Sequence, residues 1–199
     1  MANLARRKAG ILYDSAILAS YGRNMPEMRE RGERSLTGGE PVTKTLRTRE
    51  TILAELAGMP VEFDRLVLRQ ADRDDLMRPA PDGGWGVVEI LPHLRDWEEI
   101  YFDRAVAIVT TDLPRLQAYD DSLWEIERDY RGQDPDDSLA QFAELRERLV
   151  AYLTDLPHDA WQREGDHSAY GRITLQWMAD HICDHDREHL QQALDAVVS

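Results

Sequence analysis

The sequence predicts an all-α chain: a four-helix bundle with a crossover connection, preceded by an N-terminal arm. Apolar residues recur at spacings of three and four along four long segments, no stretch alternates as a strand does, and clusters of Gly, Pro and Asp separate the segments. A length of 199 residues suits one well-packed core rather than two. We divide the chain into an arm or linker over residues 1–45 and a bundle domain over residues 46–199.

The arm begins with Arg6, Arg7 and Lys8 ahead of Ala9-Gly10-Ile11-Leu12, an imitation of a secretory signal that Asp14 interrupts. Gly38-Gly39 and Pro41 then read as a linker. The first helix starts near Thr48 and carries Ile52, Leu56, Phe63, Leu66 and Val67 on one face. Pro60 has to kink that helix or begin a second one. A polar run from Arg78 to Gly84 ends it.

The second helix has Gly86 as N-cap, Glu89 at the third helical position and Trp85 placed to staple onto Ile90. Its apolar stripe is Ile90, Leu94, Trp97, Tyr101, Ala105 and Ile108, with His93 on the flank of that stripe. Pro92 frees the carbonyl of Val88; it either kinks the helix and aims His93 or is simply tolerated near a helix start.

Pro114 to Tyr130 is mixed, with a short helical middle around Trp124, and Asp134-Pro135-Asp136-Asp137 announces a third long helix from about Ser138 to Leu153. Leu139, Phe142, Leu145, Leu149 and Tyr152 form its stripe, and the long connection from about 111 to 136 permits a crossover. Pro157 to Trp161 reads as one turn, and a polar loop through Gly165, Asp166 and Gly171 leads to Thr174, the N-cap of the last helix. Leu175, Met178, Ile182, Ala193 and Ala196 face inward there.

His185 and His189 are four residues apart on that helix, so their rings share a face and can point nitrogens at one ion. A third ligand has to come from another helix, and His93 is placed to supply it. Three protein nitrogens leave a coordination position open, as catalytic rather than structural metal sites do. Imidazole alone does not choose among zinc, nickel, copper and iron. His181 lies farther toward the polar side, as a hydrogen-bond donor to the site or an alternative partner of His185; Cys183 points away from His185. Asp96 and Glu98 read as outer or surface groups, Glu98 as a general base only if it faces inward, and Asp184 and Asp186 as partners of Arg187 or solvent. Trp97, Trp124, Trp161 and Trp177 read as core aromatics, one or two of them at the mouth of a pocket, and His158 and His167 as loop residues.

A net charge of −14 argues against nucleic-acid binding through phosphates and favours neutral or cationic partners. One cysteine forbids an intramolecular disulfide and fits a reducing cytoplasm. No apolar run is long enough to span a bilayer.

Two blocks carry a family resemblance: Trp85 followed by Glu89-Ile90-Leu91-Pro92-His93-Leu94-Arg95-Asp96-Trp97-Glu98, and Thr174-Leu175 followed by His181-Ile182-Cys183-Asp184-His185-Asp186-Arg187-Glu188-His189-Leu190-Gln191-Gln192. In this order and separation they resemble the DinB-like metal-binding bundle superfamily, which includes YfiT-like proteins and mycothiol-dependent maleylpyruvate isomerases, over about residues 47 to 197. The resemblance implies a four-helix bundle, a divalent metal (usually zinc or nickel) on His93, His185 and His189, and frequent homodimers. It implies a metal-dependent enzyme activating a low-molecular-weight thiol or water for a small-molecule substrate: a thiol-dependent S-transferase or isomerase, or a hydrolase. The alternative is a non-enzymatic metal-binding stress-response or structural bundle. Gly86 departs from the family in standing where a Ser or Thr cap is usual, and the arm lies outside the shared pattern.

Overall fold

The computed structural model describes residues 45–80, 83–121 and 123–198, so all but the last residue of the expected arm lies outside the described residues. In chain order the helices are α1 (Arg49–Phe63), short α2 (Arg73–Leu76), α3 (Val87–Thr110), short α4 (Trp124–Glu127), α5 (Pro135–Asp155) and α6 (Leu175–Val198). Helices α1, α3, α5 and α6 form a four-helix bundle.

Local chemistry accounts for the ends of these helices. Thr48 Oγ1 accepts from the Thr51 amide at the start of α1, and the Asp134 carboxylate accepts from the amides of Asp136 and Asp137, with Pro135 in the first turn of α5. Thr174 Oγ1 takes the Trp177 amide at 3.0 Å, the capping expected for α6. At α3 the Gly86 amide donates to Glu89 Oε2 at 2.7 Å. A Cβ on Gly86 would lie 2.2 Å from the Arg78 carbonyl oxygen, which explains why no Ser or Thr stands there.

Pro60 neither stops α1 nor begins a second helix: α1 runs through it and ends in a π-helical turn, Asp64–Leu68. Helix α1 packs on α5 and α6, and α3 packs on the same two, so α1 and α3 occupy one diagonal and α5 and α6 the other. The crossings therefore fall in the α1-to-α3 and α5-to-α6 connections. The helices flanking the long 111–136 connection are neighbours.

Short strands, absent from the sequence expectation, occur in two connections. Strand β1 (Arg115–Leu116) pairs parallel with β2 (Glu164–His167), and β2 pairs antiparallel with β3 (Gly171–Thr174). Strands of two to four residues are too short to carry an alternation signal. The segment around Gly165, expected as a loop, is thus half of a hairpin, and Gly171 turns it at φ +71°.

The apolar core is in two parts. One gathers Ile52, Leu56, Trp97, Leu149, Leu153 and Ile182, and the other Met59, Phe63, Ile90, Leu94, Phe142 and Leu190. On α5 the break falls between Phe142 and Leu149, and on α6 between Cys183 and Leu190. Polar residues fill these gaps.

Candidate metal centre

On α5 the gap holds Arg146, and on α6 it holds His185, Asp186 and His189. Helix α3 adds His93 and Glu98, both buried. The layer is tied together by Arg146, which is 1% exposed. Its Nε and Nη2 donate to the Glu98 carboxylate, its Nη1 donates to Asp186 Oδ2 at 2.6 Å, and Nη2 also reaches Asp186 Oδ1 at 3.2 Å. Nη1 donates again, at 3.2 Å, to the Leu56 carbonyl of α1. That carbonyl lies four residues before Pro60, which has no amide hydrogen to offer it.

His93, His185 and His189 are brought together: each offers a nitrogen, and the three lie within 4.8 Å of one another. His93 Nε2 and His185 Nε2 are 3.2 Å apart. Metal–nitrogen bonds of about 2.0–2.1 Å place the nitrogens of a tetrahedral site about 3.3 Å apart, so this spacing fits one shared ion. His189 directs Nδ1 to Gln192 Oε1 at 3.0 Å, which leaves Nε2 for the site. His93 Nδ1 is 3.7 Å from Asp121 Oδ2 and His185 Nδ1 is 3.8 Å from Asp186 Oδ1. Both Nδ1 atoms are buried and make no hydrogen bond. Each imidazole thus has an oxygen on the side away from the site, within hydrogen-bond distance for His189 and beyond it for the other two, where a carboxylate charge faces Nδ1. The donor set and its surroundings fit a divalent ion.

The electrostatics favour the neutral form of two of the imidazoles, His93 and His189. Burial, reinforced by the other two histidines, holds His93 well below the ordinary histidine range. Burial and His185 take His189 down to about 3. Burial works to raise Asp186, but Arg146 outweighs it and keeps this carboxylate below its usual value. Asp121 is raised by burial, with the Trp97 indole donating to it at 3.1 Å. Aromatic rings enclose the histidines, with Trp85 stacked on His189 and edge-on to His93.

A cavity of about 140 Å³ opens beside His185, lined by Trp97, Tyr101, Arg104, Asp121, His181 and Trp177 among others. Of the four tryptophans expected in the core, Trp97 and Trp177 line its wall, whereas Trp124 and Trp161 are fully buried. His181 faces this cavity and stacks on Trp177, outside the three-histidine group.

Several sequence expectations need correction. Asp186 faces neither solvent nor Arg187 but lies buried on Arg146, because Arg146 occupies a position on α5 whose charge hid it from an apolar stripe. Leu145, placed in that stripe, is only half buried. Glu98 faces inward, yet both of its oxygens are held by Arg146. Asp96 is bound by Arg95, Arg128 and Tyr130. Asp184 pairs with Arg47, while Arg187 pairs with Glu55. His167 is a buried strand residue on the cavity wall. The places of Asp121 and Gln192 beside the histidines are not legible in the sequence, since an acid in a loop and an amide three residues past a histidine carry no distinctive spacing.

Comparison with known proteins agrees with the fold. The solved structure of YfiT from Bacillus subtilis, described as a probable metal-dependent hydrolase with an unusual four-helix bundle topology, superposes with a TM-score of 0.70 at 24% identity, covering 81% of this chain and 93% of that one. In sequence, YfiT of B. subtilis strain 168 is 31% identical over 108 residues, which are 54% of this chain and 60% of YfiT. A Bacillus licheniformis relative named in similar terms is 24% identical over 161 residues, 77% of this chain and 91% of its own length. The sequence profile of the DinB superfamily matches residues 55–193, a span that includes all three histidines and the Arg146 cluster, and the chain belongs to that superfamily.

Proposed function

We propose that this chain is a metal-dependent enzyme in which His93, His185 and His189 hold one divalent ion, zinc or nickel, beside a small-molecule site. The observation that carries the reading is the convergence of three imidazole nitrogens at the edge of an aromatic-walled cavity. A divalent ion bound there supplies Lewis acidity, lowering the pKa of a water or thiol at its open position.

The protein's own groups do the rest. Burial keeps His93 and His189 neutral and ready to donate lone pairs. Trp85 and Trp97 shield the site from bulk water, which strengthens electrostatic interactions within it. A cavity of about 140 Å³ beside His185 suits a group about the size of one ring, comparable to engineered cavities that take up benzene. This open space favours an enzyme over a bundle in which the ion only braces helices, because a bracing ion needs no vacant position.

Hydrolysis is the leading activity, supported by the descriptions of the relatives. In a thiol-dependent transfer the thiol comes from solution, since Cys183 is buried and burial pushes it up to about 12. Elemental analysis of untagged protein tests the centre: about one zinc or nickel per chain, lost in His93→Ala and His189→Ala, is expected. Full metal content in both variants overturns it. Metal-loaded protein is then assayed on small esters and amides with and without a low-molecular-weight thiol. Turnover without thiol supports a hydrolase, and strictly thiol-dependent turnover a transferase.

A further inference from the structure

We propose that Asp186 is the positioning residue of His185, held in place by Arg146, so that the buried Glu98, Arg146 and Asp186 cluster governs how tightly the three-histidine centre binds its ion. The proposal rests on the metal reading above and adds residues outside the ligand set.

Asp186 divides its two oxygens. Oδ2 takes the short hydrogen bond from Arg146 Nη1 at 2.6 Å, while Oδ1, held less closely by Nη2 at 3.2 Å, is the oxygen 3.8 Å from His185 Nδ1. At 3.8 Å this contact is electrostatic rather than a hydrogen bond, and a carboxylate charge on that side favours the tautomer with its proton on Nδ1, which presents a lone pair from Nε2. His185 Nε2 is the atom 3.2 Å from His93 Nε2. Arg146 is fixed in turn by Glu98 on α3 and by the Leu56 carbonyl on α1, so all four bundle helices take part in aiming one imidazole.

The cluster contains two carboxylates and one guanidinium. Removing the charge of either carboxylate leaves a neutral ion pair rather than a stranded buried charge, so Asp186→Asn and Glu98→Gln are matched variants. They differ in what His185 meets. In Asp186→Asn the amide oxygen keeps the short bond to Arg146 and the NH2 group turns toward His185 Nδ1, favouring the tautomer that cannot coordinate through Nε2.

The test titrates Co(II) into the metal-free full-length chain and reads its d–d absorption, with thermal unfolding recorded for every variant. Asp186→Asn is expected to weaken Co(II) binding by about ten- to a hundredfold and to alter the absorption bands. Glu98→Gln, which acts on His185 only through Arg146 and keeps one acceptor for it, is expected to weaken Co(II) binding no more than about threefold and to leave the absorption bands in place, at a similar stability. Equal effects of the two variants overturn the positioning role, as does wild-type affinity in Asp186→Asn. If wild-type protein binds no Co(II), the metal centre fails and the proposal fails with it. Arg146→Lys, which keeps the buried cation but loses the forked grip, covers the case in which Asp186→Asn does not fold. It too is expected to weaken Co(II) binding, and unchanged affinity overturns the proposal.

Discussion

Arg146 donates to the Leu56 carbonyl at 3.2 Å, and the donor that this carbonyl lacks within its own helix is the amide of Pro60. A proline that looks like a helix breaker therefore provides an acceptor for the charged cluster of the core. Proline inside a helix ordinarily costs about 3 kcal/mol relative to alanine. Pro60→Ala is expected to recover well under half of that, because the restored amide competes with Arg146 for one oxygen. Urea unfolding measures the difference, and a gain near the full value would show that the Arg146 contact contributes nothing.

Gly86 is the N-cap of the site helix α3, and a serine there would ordinarily cap better. The Arg78 carbonyl stands 2.2 Å from the place of a Cβ, and it is backbone, which yields poorly. Gly86→Ser is expected to destabilise by about 1–3 kcal/mol, the usual range for overpacking. A stabilising effect in thermal unfolding would contradict this packing.

Arg146→Met leaves Glu98 and Asp186 buried with no cation between them. Breaking a buried ion pair from one side costs about 3–5 kcal/mol. The loss is expected to shrink at low pH, where the stranded carboxylates protonate. A loss independent of pH would point to packing rather than charge.

In metal-free protein, stability is expected to fall on acidification. Burial and neighbouring imidazoles take His189 down to about 3 and depress His93, while an unfolded histidine titrates near 6.5. Between those values the unfolded chain binds protons that the folded chain refuses, so the contribution is complete above pH 6.5 and is lost as the pH drops toward 3. Urea midpoints measured with chelator at several pH values check this. His189→Gln is expected to flatten the dependence.

Cys183 is 1% exposed on α6, and burial raises its thiol to about 12. It is expected to resist an aromatic disulfide reagent at pH 8 in native protein and to react fully in denaturant. Rapid native reaction would mean that α6 opens locally.

The sequence by itself determined the four amphipathic helices, the cap at Thr174 and the three candidate histidines, because these follow from local spacing and from a side chain that bonds to a nearby amide. Tertiary structure decided the rest. The three-stranded sheet depends on pairing residues about fifty positions apart, Arg115 with Asp166, which no short window encodes. The inward turn of Glu98, Arg146 and Asp186 was hidden because charged residues ordinarily mark a solvated face, and only mutual neutralisation across α3, α5 and α6 makes their burial tolerable. The same holds for Gly86 and Pro60: each reads as a local weakness along the chain, and each has its reason in an atom of another segment, the carbonyl of Arg78 and the guanidinium of Arg146.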